Sequence, residues 1–91
     1  MILYKRNDEI FVVIDEDCDE IYAFHSWIET VIFLTSEMMA LHAHIIPVNE
    51  FTWREPKDRE ECFEFLFNMD NIDDLNNSLL EYYKVRKVAF S

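Results

Sequence analysis

Apolar and polar positions fall into three short blocks at the start of the chain. Met1-Ile-Leu-Tyr4, Ile10-Phe-Val-Val-Ile14 and Ile21-Tyr-Ala-Phe24 are rich in β-branched or aromatic residues, with polar turns Asn7-Asp8-Glu9 and Glu16-Asp17-Cys18-Asp19 between them. Such blocks predict strands, and linkers this short allow hairpins but no parallel crossover, so an antiparallel meander is expected. From Ser26 the period changes. Trp27, Val31, Leu34, Met38, Leu41 and Ile45 recur at spacings of three and four, and Ile28, Ile32 and Met39 widen the same face. That pattern predicts a helix packed on the sheet. Ser26-Trp-Ile-Glu29 fits a capping box at its start, and Pro47 ends it or lies just beyond its end. A strand over Thr30 to Thr35, which is β-prone, is the competing reading.

After Pro47, Val48 to Arg54 reads as extended with Phe51 and Trp53 on one face, and Glu55-Pro56-Lys57-Asp58 as a turn. Phe63, Phe65 and Phe67 alternate with Glu64 and Leu66. Cys62, Phe63, Leu66 and Phe67 would equally line a helix, but three aromatics on a period of two favour a strand over residues 60–68. Asp70 is the expected cap of a second helix, with Ile72, Leu75, Leu79 and Tyr82 or Tyr83 as its core stripe, and Val85 to Phe90 is a closing strand. The expected fold is α+β. It forms one domain over residues 1–91, a mostly antiparallel sheet of five to six strands against two helices in the order βββαββαβ.

Charge narrows the function. Nineteen Asp and Glu oppose eight Lys and Arg, a formal charge of -11, whereas a nucleic-acid-binding surface draws its affinity from clustered Lys and Arg. Direct binding to nucleic acid is therefore not expected, nor is binding to an anionic membrane. The 51% of apolar residues supply a core, yet no apolar run approaches the roughly 20 residues that cross a bilayer. Two widely separated cysteines, Cys18 and Cys62, without CxxC spacing or a secretory leader, point to a reducing cytoplasm.

The chain has no glycine, which removes the Gly-rich phosphate loops, the dinucleotide fingerprint and the nucleophile elbow. Asp15-x-Asp17-x-Asp19 resembles the opening of a calcium loop, but Glu20 stands where the loop needs Gly and Ser26 where it needs a bidentate Glu. His42-x-His44, with His25, Cys18 and Cys62, lacks the spacing of a zinc site. Cys62 or Ser36 beside a histidine carries no local motif of an activated nucleophile. Neither catalysis nor a metal or other cofactor is expected.

The acids are concentrated. Residues 1–25 hold seven and residues 55–83 hold nine, while residues 84–91 hold none and carry three bases. Read as a helix, Asp70, Asp74, Asn77 and Glu81 form one polar stripe with Asp73 beside it. Carboxylates four apart on a helix are about 6 Å apart along its axis, within a factor of two of the roughly 3.4 Å between charges on a DNA strand. The composition is thus that of small acidic inhibitors: phage proteins that block restriction or CRISPR nucleases, and immunity proteins that neutralise nuclease toxins. The expected function is binding to a protein partner, a basic nucleic-acid-binding protein or nuclease, in place of DNA. The candidate contacts are Asp58, Glu60, Glu61 and Glu64 with Asp70, Asp73, Asp74 and Glu81, then Asp15, Glu16, Asp17, Asp19 and Glu20, with Phe51 and Trp53 as aromatic anchors. The alternative is a structural or oligomeric subunit, such as a homodimer, joined through the wide apolar helix face.

Overall fold

The computed structural model describes residues 9–15, 17–69, 71–79 and 82–89. The elements run β1 (Glu9–Asp15), β2 (Glu20–Phe24), α1 (Trp27–Leu41), β3 (Ile46–Pro47), β4 (Trp53–Arg54), α2 (Arg59–Phe67), α3 (Ile72–Ser78) and β5 (Lys84–Ala89). The architecture is α+β. A three-stranded antiparallel sheet in the order β2-β1-β5 is accompanied by a two-stranded ribbon of β3 and β4 and by three helices. The sheet is narrower than five to six strands because residues 48–54 and 60–68 do not join it, and Met1 to Tyr4 lie outside the described residues. No helix of the described residues is long and apolar enough to cross a membrane.

Register sorts the side chains of the sheet. Val13 lies opposite both Tyr22 and Val85, and Phe11 opposite Phe24, so these residues share the face that packs under α1. Phe11, Val13 and Val85 are buried there. The other face is also largely apolar, carrying Ile10, Val12, Ile14, Ile21, Ala23 and Val88 beside Lys84 and Arg86, and Ile21 is 68% exposed. At the outer edge of β5, the Asn76 amide of α3 donates to the Val85 carbonyl (2.9 Å) and accepts from the Val85 N–H (2.7 Å). One side chain thereby satisfies both main-chain groups that an edge strand leaves open.

Helix α1 begins as its sequence indicates, the Ser26 hydroxyl accepting the Glu29 N–H at 3.2 Å. Val31, Leu34 and Met38 are fully buried, but Ile28 and Ile32 are 49% and 51% exposed. The buried stripe is narrower than the apolar one, and Leu41 is exposed as well. The helix stops at Leu41, short of Pro47. His42 takes left-handed φ of 53°, its N–H reaching the Met39 carbonyl and that of Ala43 the Met38 carbonyl, a Schellman closure without glycine in which buried Ala43 and Met38 supply the apolar contact.

Residues 48–52 turn instead of extending. The Val48 N–H donates to the Thr52 carbonyl at 2.9 Å, while Asn49 Oδ1 accepts from the Phe51 N–H and the Thr52 hydroxyl. This side chain competes with strand formation by bonding its own local backbone. Phe51 sits in this turn 83% exposed, and Trp53 follows on β4.

Residues 59–67 are helical, not a strand. Asp58 caps α2 by accepting the Glu61 N–H at 2.8 Å, and Glu60 and Glu61 occupy the first turn, where acids favour a helix. The phenylalanines therefore divide: Phe63 and Phe67, one turn apart, stack at 5.3 Å, while Phe65 points elsewhere. In α3 the cap is Asn71, which accepts the Asp73 N–H, in place of the expected Asp70. Leu75, Leu79 and Tyr83 are buried as the spacing predicts.

Candidate functional site

Helices α1 and α2 lie side by side in opposite directions. The Trp27 indole N–H at the start of α1 donates to the Phe67 carbonyl at the end of α2 (3.1 Å), and Arg59 at the start of α2 donates to the Ser36 hydroxyl (2.6 Å). Between them is a cleft of about 400 Å³ lined by Ile32, Thr35, Arg59, Glu60 and Phe63. One turn further along each helix, Ile28 and Phe67 continue the two apolar ridges, both in large part exposed. A second cleft, of about 490 Å³ and lined by Ala23, Phe24, His25, Glu29, Ile32 and Phe33, meets the first at Ile32. Ile32 is thus the crest of a continuous apolar surface. The buried Thr35 hydroxyl makes no well-formed hydrogen bond, with the Cys62 thiol as its polar neighbour. Burial pushes that thiol up from its ordinary value, which disfavours the reactive thiolate.

Around this surface the acids divide into two kinds. Asp58 is occupied as the cap of α2. Glu61 receives both guanidinium nitrogens of Arg54 at 2.8 Å and the Lys57 N–H at 2.7 Å, so it ties the β3–β4 ribbon to α2. Glu60 and Glu64 are exposed and hold no ion pair among the described residues, as does Glu29 on α1. The Arg54 hydrogen bonds hold the Glu61 carboxyl down at about 2, against an ordinary 4.5. Because the folded value is depressed, the stability this clamp adds is complete above pH 4.5 and is lost as the pH falls toward 2. The difference in urea midpoint between wild type and Glu61→Gln will therefore narrow from pH 5 to pH 2; a constant difference would refute the clamp.

A second group of acids gathers at the β1–β2 turn. Asp15 Oδ1 accepts the N–H groups of Asp17 and Cys18, and Asp19 takes φ of 56°, a left-handed geometry that aspartate tolerates. Asp15, Cys18 and Glu20 bring one potential ligand atom each to within 4.8 Å of one another. The Cys18 thiol is pushed up, foremost by the Asp15 carboxylate, so it stays protonated. Two tyrosines are fastened here. Tyr22 donates to Glu20 at 2.7 Å, which raises its hydroxyl to about 12, and Tyr83 donates to Glu37 at 2.6 Å, its hydroxyl raised first by burial and then by that bond. Neither is available as a base at neutral pH.

Of the remaining candidates, Asp73 and Asp74 are exposed on α3, while Glu16, Asp70 and Glu81 lie outside the described residues. Of the expected stripe, Asp74 and Asn77 lie on α3. Phe51 and Trp53 are exposed on the ribbon, away from a shared strand face. His42 pairs with Glu55 at 3.0 Å, and among the described residues no histidine joins a cluster of three potential ligands. The apolar surface on α1 and α2 escapes a reading that makes residues 60–68 a strand. Its signal was present, since Asp58-Arg-Glu-Glu61 repeats the capping pattern of Ser26-Trp-Ile-Glu29. Compared with known proteins, the chain matches no family model, no curated protein and no solved structure.

Proposed function

We propose that this chain is a small acidic inhibitor that acts by binding, not catalysis, and occupies the basic nucleic-acid-binding surface of a protein partner. The observation that carries this reading is the state of Glu60 and Glu64: exposed, one helical turn apart, and without an ion pair among the described residues. Carboxylates left unpaired keep their long-range attraction for a cationic groove. The turn acids Asp17, Asp19 and Glu20 and the α3 acids Asp73 and Asp74, all exposed, extend the negative field. The half-exposed Ile28 and Ile32 favour a second reading, a structural or oligomeric subunit that buries them against a copy of itself.

A partner recovered by affinity purification decides between them. Its association with this protein should slow steeply as salt rises from about 50 to about 500 mM, where the screening length shrinks several-fold, and duplex DNA or RNA should compete for the same site. Simultaneous binding of nucleic acid and this protein would refute the inhibitor reading. A dimer that persists unchanged across the same salt range supports the second.

A further inference from the structure

We infer that two copies of this chain pair through the outer face of the β2-β1-β5 sheet, the face turned away from α1, with β5 of each copy lying over β2 of the other. This goes beyond the inhibitor reading and uses a different face from Ile28 and Ile32. The first observation is strand β1. Its residues 10–14 are apolar on both sides of the sheet, whereas a strand with one face in water alternates apolar and polar residues. Phe11 and Val13 are buried under α1. On the other side Ile10, Val12 and Ile14 are flanked by Ile21, Ala23 and Val88, the last three exposed. None of these six packs against the core cluster of the described residues.

Charge on this face is divided between its two edges. Lys84 and Arg86 stand on β5, exposed and without an ion pair among the described residues. Glu9, Asp15 and Glu20, the acids of the three strands, fall on the α1 side by register. The opposite edge ends, next to Ile21, in the β1–β2 turn with Asp17 and Asp19 exposed, about 10 Å from β5 across two strand spacings. A wholly acidic or wholly basic occupant meets like charge at one of these edges. The same face turned over about an axis along β1 meets opposite charge at both. Ile10, Val12 and Ile14 then lie on the axis against their own copies, Lys84 comes over Ile21 beside the acidic turn of the other copy, and Arg86 comes over the small Ala23. Turning about the perpendicular axis in the sheet plane would instead stack β5 on β5. Three strands over five residues span about 14 by 17 Å, a small patch, so the pair belongs with the weak interfaces and forms at micromolar concentration or above.

The test is sedimentation velocity of the full chain at about 0.15 M salt, where a screening length of about 8 Å confines the repulsion between two chains of charge -11. A reductant keeps the exposed Cys18 from joining copies by a disulfide. The wild type should pass from monomer to dimer between about 1 and about 300 µM, the range of a weak interface. Ile21→Glu, at a position 68% exposed, should raise the midpoint at least about tenfold, a gap of about 1.4 kcal/mol, with an unchanged urea midpoint, and Ile32→Glu should leave the dimer as it is. Lys84→Glu alone, and Asp17→Lys with Asp19→Asn alone, should each weaken pairing, and mixing the two variants should restore it, because the introduced acid then faces the introduced base. The inference is overturned by a wild type that stays monomeric throughout, by full pairing of Ile21→Glu, or by no recovery in the mixture. A dimer lost in Ile32→Glu and kept in Ile21→Glu would also overturn it, in favour of pairing through the helices.

Discussion

Leu34→Ala will destabilise the protein by about 2–5 kcal/mol, the range for truncating a buried leucine where the surroundings relax only in part. Leu34 has no exposed surface and sits in the cluster of α1 with Val13, Val85, Leu66 and Tyr83, so both the sheet and α2 lose contact when its side chain is shortened. Against a total stability of about 5–15 kcal/mol for a domain of ordinary size, that loss is large enough to leave a measurable unfolded fraction near body temperature. Ile32→Ala, two positions away on the same helix, should shift the urea midpoint little: a surface substitution usually stays within about 0.5 kcal/mol, and Ala is the better helix former. The contrast separates fold from function at neighbouring positions. A small effect at Leu34, or a large one at Ile32, would mean that α1 is rotated about its axis from the orientation described above.

That contrast also marks what the sequence made legible. Strands β1 and β2 and the cap of α1 were readable because their signals are local: β-branched runs, a short polar turn, and a Ser with a Glu three residues on. The buried stripe of α1 was readable by spacing alone. Its exposed companions Ile28 and Ile32 were not, since a wide apolar face says nothing of how much cover the sheet and α2 provide. The C-terminus of α1 was misplaced because the reading relied on Pro47, whereas the chain stops at His42 by a left-handed turn that in most proteins a glycine announces. Helix α2 was misread for a different reason. Three aromatics on a period of two outweigh the helical face of Cys62, Phe63, Leu66 and Phe67, and Asp58 reads only as the end of a turn, whereas it caps the helix and Phe63 stacks on Phe67 one turn on. The division of the acids into occupied and unpaired ones could not be read in advance, because Glu61 acquires its role from Arg54 on the neighbouring ribbon and Glu37 acquires its own from Tyr83, 46 residues away.

If the protein binds the basic partner proposed above, reversing Glu60 and Glu64 to Lys will slow that association by about tenfold or more at low salt, the lower end of what electrostatic steering contributes. Their exposure and lack of an ion pair among the described residues mean that each reversal turns an attraction into a repulsion without breaking a bond inside the protein. Asp58 and Glu61 are unsuitable for the same experiment. Changing them would remove the cap of α2 or its clamp to Arg54, and lost binding could not be told from a lost helix. Lys at position 60 does oppose the dipole of α2, at a cost of about 0.3–1 kcal/mol, so the fold should survive. The control is Asp73→Lys with Asp74→Lys on α3, which changes net charge by the same amount at a different place. Equal slowing by the two pairs would assign the effect to overall charge, whereas slowing confined to Glu60 and Glu64, vanishing as salt shortens the screening length below about 10 Å, places the partner over α2. If neither pair changes the rate, these four acids serve solubility and the inhibitor reading proposed above is refuted.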